Sequence, residues 1–147
     1  MMDARLTRFE DESAGHELID HTSEVTIRLR APTFGVLVSE ATRAFGEFVP
    51  PAIRSPTLDA SREFRVKALD RAAGLVEWLN EMVYLCEAEQ WLPVDAELLS
   101  MENGELHIRA PGVALSAPFV LVKAATLHRA NVRESASGLV GEVTLDV

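Results

Sequence analysis

Alternating hydrophobic and polar positions mark the first strand of this chain at residues 24–30. Apolar side chains occupy every second position, at Val25, Ile27 and Leu29, and polar side chains occupy the positions between them. Strict alternation of this kind predicts a strand with one face in the core and one in solvent. Pro32 then interrupts the pattern, and Thr33 is placed to cap a helix that follows.

Two later stretches carry apolar residues at helical spacing. From residue 34 to about residue 49 they recur three and four positions apart, and Pro50 and Pro51 end the pattern. The second stretch follows a capping residue, Asp70, and runs to about residue 89. Its apolar stripe consists of Leu75, Leu79, Met82, Val83 and Cys86. The protein is therefore predicted to contain two helices.

The rest of the chain is rich in β patterns. Further strands are expected over residues 62–69, 94–101, 105–110, 119–133 and 139–147. The Asn103-Gly104 dipeptide is typical of a hairpin turn, and Pro111 and Gly112 predict a loop over residues 110–118. The element order βαβαββββ predicts an α+β fold, in which two helices pack on one face of a mostly antiparallel sheet.

Length and composition indicate one globular domain. The chain has 147 residues, of which 48% are hydrophobic and 25% charged. We expect residues 1–15 to form a flexible N-terminal tail and residues 16–147 to form a single domain. An export signal and a membrane-length apolar run are both missing from the sequence, and its one cysteine, Cys86, excludes an intrachain disulfide. A cytoplasmic location is expected.

The net charge of −9 constrains the choice of partner. Such a charge repels a phosphate backbone unless a local basic patch overrides it, and the basic residues here are scattered, without interleaved aromatic rings. Only four of them are loosely grouped: Arg62, Arg65, Lys67 and Arg71. We expect neither direct nucleic-acid binding nor membrane association. A basic protein partner or a metal ion suits the charge better.

Common catalytic patterns are missing from the sequence. Cys86 lies on the apolar stripe of a helix, which favours a buried structural thiol over a nucleophile. None of the four histidines is spaced from another as metal ligands on a helix are, so a hydrogen-bonded or surface role is expected for each. Neither a GxSxG elbow nor a glycine-rich phosphate loop occurs.

Acidic residues near the ends of two strands are the main candidates for a site. Asp146 alternates with Leu145 and Val147, so its side chain should lie on the face opposite the core. If the first and last strands are neighbours, Glu24, Asp146 and the terminal carboxylate of Val147 can converge. Oxygen ligands of this kind suit Ca²⁺ or Mg²⁺ better than Zn²⁺. The alternative is that these acids are simply solvated.

Lys123 interrupts an otherwise apolar run, VLVKAATLH. A lysine there must reach solvent or pair with an acid, and a charged residue that protects a sheet edge from pairing is the alternative explanation. In a regular strand Lys123 and His128 would face opposite sides. A site shared by both therefore requires a β-bulge between them.

Four motifs resemble those of the archease family, in the same order over residues 16–147. IDHTSEVTIRL is similar to the DHTAD-x-x-[IV] signature of that family, VKAATLH to VKA-x-TYH, and the ending VTLDV to the family's closing hydrophobic-Asp-hydrophobic sequence. Between them, LVEWLNEMVYL is similar to the family's second helix, LLxxWLNELLYL. The chain departs from these signatures at Glu24, which replaces Asp, and at Leu127, which replaces Tyr.

The resemblance implies an accessory function without enzymatic activity. Archeases support the GTP-dependent tRNA-splicing RNA ligase, which joins a 2′,3′-cyclic phosphate or 3′-phosphate end to a 5′-hydroxyl, and they promote its guanylylation and multiple turnover. A chaperone-like module that modulates a tRNA methyltransferase is the alternative. A metal-dependent hydrolase is a third possibility, which is disfavoured because no nucleophile or general base accompanies the acids.

The resemblance also implies site residues. A divalent metal would be held by Glu24, Asp146 and Val147, and an extension after Val147 is expected to disrupt that site. Calcium is expected, with magnesium as the alternative, because calcium better tolerates the longer side chain of Glu24. The residues assigned to partner activation are Lys123, Asp20, His21 and His128.

Overall fold

The computed structural model describes residues 5–8, 13–20 and 23–147, which form nine β-strands and two α-helices. The strands are β1 Arg5–Arg8, β2 Gly15–Asp20, β3 Glu24–Ala31, β4 Arg54–Lys67, β5 Trp91–Pro93, β6 Glu97–Glu102, β7 Glu105–Leu115, β8 Ala124–Ser135 and β9 Gly138–Asp146. The helices are α1 Phe34–Gly46 and α2 Arg71–Tyr84. A 3₁₀ turn, Pro51–Ile53, precedes β4, and a π-helical segment, Leu85–Glu89, continues α2. The predicted α+β class is confirmed.

The strands form two antiparallel sheets rather than one. The first sheet has five strands in the order β1-β2-β3-β9-β8. In the second, β7 is central, with β4 on one side and β5 and β6 on the other. Helix α1 packs against β3 and β6, and α2 packs against β8 and β4, so each helix contacts both sheets. The element order is only roughly as predicted because β1, β2 and β5 are additional.

Both predicted helix caps are confirmed. The N–H of Val36 donates to the hydroxyl of Thr33 over 3.2 Å, and the N–H of Ala73 donates to the carboxylate of Asp70 over 2.8 Å. Each cap satisfies a main-chain donor that the first turn of a helix leaves open. Within the described residues, neither helix is long and apolar enough to cross a membrane.

The core between the helices contains hydrogen-bonded polar groups as well as apolar side chains. The indole N–H of Trp78 on α2 donates to the hydroxyl of Thr42 on α1 over 2.9 Å, and that hydroxyl donates to the carbonyl of Val38 over 2.8 Å. Cys86 is buried, and burial raises the pKa of its thiol to about 12. Because the thiol stays protonated at neutral pH, the expectation of a structural cysteine is confirmed.

The predicted loop over residues 110–118 is wrong, because β7 continues through Pro111 to Leu115. A proline cannot donate to a strand ladder, but β4 bulges opposite this point, between Asp59 and Arg62, so no donor is required there. The Asn103-Gly104 turn at the other end of β7 is confirmed, with φ of 54° and 71°.

Gly112 of β7 lies directly against the ring of Trp91. A Cβ atom at this position would overlap three atoms of the indole ring. We expect Gly112→Ala to lower the free energy of unfolding by about 1–3 kcal/mol, the usual cost of overpacking a core. Gly46→Ala is the control, because a Cβ there meets nothing within 4 Å. Equal urea midpoints for the two variants would contradict the prediction.

The predicted N-terminal tail contains an unexpected strand. Arg5–Arg8 forms β1 and pairs antiparallel with β2, which begins at Gly15. Residues 1–4 and 9–12 lie outside the described part of the chain. The division of the chain at residue 16 stays a prediction.

Candidate functional site

Glu24 and Asp146, called here the acidic pair, lie directly opposite each other at one end of the first sheet. Strand β3 pairs antiparallel with β9, and its register sets Glu24 against Asp146. Cβ atoms of directly opposed residues in such a pair are about 4.5–5.5 Å apart and point to the same face. Both residues are exposed. The strand adjacency on which the convergence of these acids depended is therefore present.

Main-chain hydrogen bonds place Lys123 and Val147 at the same end of the sheet. The N–H of Lys123 donates to the carbonyl of Asp146 over 2.8 Å, and the N–H of Val147 donates to the carbonyl of Ser23 over 3.2 Å. Strand β8 also sets Ala124, the residue after Lys123, opposite Asp146. Lys123 itself is exposed, and its main chain lies directly beside that of Asp146.

A row of threonines crosses the sheet beside the acidic pair. The registers of β3, β9 and β8 align Thr26, Thr144 and Thr126, and the hydroxyls of Thr26 and Thr144 are 3.3 Å apart. Farther along the same face, Arg28 donates to Glu142 over 3.3 Å. This face of the sheet is thus polar, and the acid that pairs with Arg28 lies four residues before Asp146, the last residue of β9.

Asn80 of α2 holds the segment that carries Lys123. Its side-chain amide donates to the carbonyl of Ala125 over 3.0 Å, and its side-chain oxygen accepts from the N–H of Ala125 over 2.8 Å. Among the described strands, β8 lies at the edge of the first sheet, so these main-chain groups face no described strand on that side. Asn80 takes the place of that strand and fixes β8 against α2.

Replacing Asn80 should loosen this attachment. We expect Asn80→Leu to lower the free energy of unfolding by about 1–3 kcal/mol, because it leaves two partly buried main-chain groups unbonded. Amide exchange at Ala125 should accelerate more than at Val143 in the centre of β9. Uniform protection at the two positions would show that Asn80 does not hold the edge.

A bulge interrupts β8 after the site. The register with β9 shifts between Thr126 and Asn131, and Arg129 has a positive φ of 64°. The N–H of His128, which is exposed, donates to the hydroxyl of Thr126 over 3.1 Å. The bulge that a site shared by Lys123 and His128 would require is therefore present.

The donor set fits a hard cation only in part. The acidic pair supplies two carboxylates, and oxygen-only coordination suits Ca²⁺ or Mg²⁺. Among the residues that the structure describes, no three His, Cys, Asp or Glu side chains are grouped as metal ligands. The side chain of Asp20 and all of His21 lie outside that description, although the main chain of Asp20 is opposite Val25, next to Glu24.

His16 lies in a buried charged cluster that the sequence analysis did not identify. Its Nδ1 is 2.8 Å from a carboxylate oxygen of Glu40, and its Nε2 is 2.9 Å from one of Glu47. Burial alone would lower the pKa of His16, but hydrogen bonds and the charges of the two carboxylates outweigh it and raise the pKa. The sequence feature that could have indicated this cluster is the seven-residue spacing of Glu40 and Glu47, because it places both acids on one face of a helix.

The fold and the end-of-sheet site define a class of small α+β proteins with two antiparallel sheets and two helices. The family model of the archease protein family matches residues 16–147, almost the whole chain. This chain therefore belongs to the archease protein family, as the four motifs had indicated.

Named relatives agree with this assignment. The chain is 26% identical over 140 residues to protein archease of Methanosarcina barkeri, covering 90% of this chain and 95% of that protein. It is 29% identical over 140 residues to protein archease of Archaeoglobus fulgidus, covering 90% and 98%.

Two solved structures are similar in fold. One is the solution structure of Methanobacterium thermoautotrophicum protein 1598, with a TM-score of 0.64 and 16% identity, covering 88% of this chain and 96% of that one. The other is the crystal structure of an archease from Thermotoga maritima, described as a possible chaperone, with a TM-score of 0.58 and 18% identity, covering 88% and 94%. The relatives carry the name protein archease, and the Thermotoga maritima archease is described as a possible chaperone. None of these names describes an enzyme.

Proposed function

We propose that this protein activates the GTP-dependent tRNA-splicing RNA ligase and promotes its guanylylation and multiple turnover. The observation that carries the proposal is the position of Lys123, whose main chain is bonded to that of Asp146, at the same end of the first sheet as the acidic pair. Two acids on paired strands, with a lysine just before a third strand, can engage a nucleotide-binding enzyme without RNA contact by this acidic chain. Membership of the archease protein family adds support.

We further propose that the acidic pair, together with Val147, holds a divalent metal during activation. Calcium is the expected ion and magnesium the alternative, because the more flexible coordination of calcium better tolerates the longer side chain of Glu24. When bound, the ion would supply positive charge that offsets phosphate charge. This protein would hold the two carboxylates in place on paired strands. Lys123 would provide a positive charge that does not depend on the metal. Asp20, His21 and His128 are proposed to assist at the partner's surface.

The protein is proposed to have no catalytic activity of its own and to act in the cytoplasm. A buried, protonated thiol at Cys86 fits a reducing compartment and does not provide a nucleophile. Incubation of the protein alone with a cyclic-phosphate RNA and Ca²⁺, Mg²⁺ or Mn²⁺ tests this. We expect unchanged RNA, and hydrolysis that disappears with Asp146→Asn would contradict it.

A chaperone-like module for a tRNA methyltransferase is the second candidate. The relative from Thermotoga maritima, described as a possible chaperone, favours it. Such a module would suppress light scattering by a heated methyltransferase. It would also tolerate neutralisation of Lys123 and Asp146, because surface complementarity and not charge at one end of the sheet would carry the effect.

Multiple-turnover ligation distinguishes the two functions. The purified GTP-dependent ligase of the same organism is given GTP and RNA ends bearing a 2′,3′-cyclic phosphate and a 5′-hydroxyl, with and without substoichiometric amounts of this protein. We expect product to exceed one equivalent of ligase only when this protein is present. Transfer of labelled GMP to the ligase should accelerate in parallel. A single turnover in both reactions, with an active ligase, would refute the proposed activation.

A further inference from the structure

Four large hydrophobic side chains are exposed near the site. Tyr84, Val120, Leu121 and Leu127, called here the apolar edge, are each more than half exposed. Scattered hydrophobic residues on a surface need no explanation, but a group of them beside a polar site is typical of an interaction surface. Whether these four are grouped depends on how the segment before β8 lies against α2.

Two attachments place that segment along α2. The N–H of Phe119 donates to the carbonyl of Cys86 over 3.3 Å, and the main chain of Ala125 is bonded to Asn80. Residues 120–124 therefore run antiparallel to the helix over the span that contains Tyr84. Val120 and Leu121 lie in this segment, which passes the helix at the level of Tyr84, and Lys123 follows them. Leu127 extends the same edge beyond Lys123, in the bulge of β8.

Acidic residues outnumber basic ones around the apolar edge, where the exposed basic side chains include Lys123 and Arg129. The acidic pair lies on the far side of Lys123, and Glu81 and Glu87 flank Tyr84 on α2 and the π-helical segment. Burial raises the pKa of Glu81, and the charge of Glu89 raises it further. The whole protein carries a net charge of −9. The apolar edge and the acids around it therefore complement an apolar patch flanked by lysines and arginines.

We propose that the apolar edge is the docking surface for the ligase of the proposed function, and that it binds an apolar recess bordered by basic residues on that enzyme. The inference rests on the proposed function, because it names where the same partner is held. Hydrophobic contacts at Tyr84 and Leu121 would provide affinity, while Lys123 and the acidic pair would be presented to the partner by the adjoining end of the sheet. Docking and activation are then separable properties of neighbouring residues.

Binding measurements with matched leucine variants test this inference. Leu121→Ser removes an exposed leucine from the apolar edge, and Leu69→Ser removes one that is 96% exposed and precedes the opposite end of α2. We expect the dissociation constant for the purified ligase to rise at least about tenfold with Leu121→Ser, as for a hot-spot residue, and to stay unchanged with Leu69→Ser. Tyr84→Ser should behave like Leu121→Ser. Circular dichroism should be the same for all three variants.

The outcomes separate the docking surface from the activation. If the wild-type protein activates the ligase and Leu121→Ser binds as tightly as Leu69→Ser, the docking surface is refuted and the proposed function stands. If the wild-type protein binds through Leu121 but fails to stimulate turnover, the docking surface stands and the activation fails. A change of oligomeric state with Leu121→Ser, at unchanged ligase affinity, would assign the edge to a second copy of this chain and overturn the inference.

Discussion

Asp146→Asn should abolish most of the stimulation of ligase turnover while leaving the fold intact. The substitution keeps the size of the side chain and removes one of the two charges of the acidic pair. Loss of even a supporting residue around a metal commonly costs about 10–100-fold in affinity or activity, so loss of Asp146, a proposed ligand, should cost at least about tenfold. The measurement is the rate of multiple-turnover ligation at substoichiometric protein, paired with Ca²⁺ affinity by calorimetry.

Glu102→Gln is the matched control for this variant. Glu102 is an exposed acid at the end of β6, in the second sheet, and its replacement removes the same single negative charge. If both variants reduce stimulation equally, the total charge of the protein matters and the acidic pair has no special role. Calcium affinity should fall only with Asp146→Asn.

The chain also provides a control for Lys123, because it contains only two lysines, Lys67 and Lys123. Both are exposed, and Lys67 lies on β4 in the second sheet. Lys123→Ala should reduce guanylylation of the ligase without reducing Ca²⁺ affinity, and Lys67→Ala should change neither. Full stimulation by Lys123→Ala would favour the chaperone-like module.

The elements that the sequence predicted correctly depend on local interactions. The alternation at Val25, Ile27 and Leu29, the caps Thr33 and Asp70, and the Asn103-Gly104 turn are each decided by residues within a few positions of one another. Such patterns carry enough information to place helices and turns. The division of the strands into two sheets was not predicted, because strand pairing depends on residues far apart in the chain.

The same distinction applies to the candidate site. Alternation places Asp146 and Glu24 on the outer faces of their strands, but only the pairing of β3 with β9 sets them opposite each other. The motif resemblance implies that meeting without information on the strand pairing. The attachment of Asn80 to Ala125 and the continuation of β7 through Pro111 had no comparable local signal. Both depend on a partner strand or helix that the sequence does not identify.

His16→Leu should produce the largest loss of stability of the substitutions considered. His16 lies between Glu40 and Glu47, and its removal takes away the donor to Oε2 of the buried Glu40 carboxylate. Removal of one partner of a buried ion pair typically costs about 3–5 kcal/mol. We expect the lower end of that range, because Arg43 also contacts Glu40, at 3.5 Å. Urea unfolding at pH 6 measures the loss.

Two further variants show whether the buried charge is the cause. His16→Leu combined with Glu40→Leu should recover part of the lost stability, because the carboxylate leaves together with its partner. His107→Leu removes a histidine that is 2.6 Å from Glu63, whose side chain is 55% exposed, and a surface pair of this kind should cost at most about 1 kcal/mol. Equal losses for His16→Leu and His107→Leu would contradict the assignment.

The stability of the wild-type protein should also depend on pH through His16. Its pKa in the folded protein is raised above 6.5, the ordinary value, so the folded protein binds the proton more tightly than the unfolded chain does. The resulting stabilisation is fully present below the unfolded pKa and is lost as the pH rises through the folded pKa. We therefore expect the wild-type free energy of unfolding to decline from about pH 6.5 upward, and that of His16→Leu to show no such decline. Parallel pH profiles for the two proteins would mean that His16 is not held in its charged form by Glu40 and Glu47.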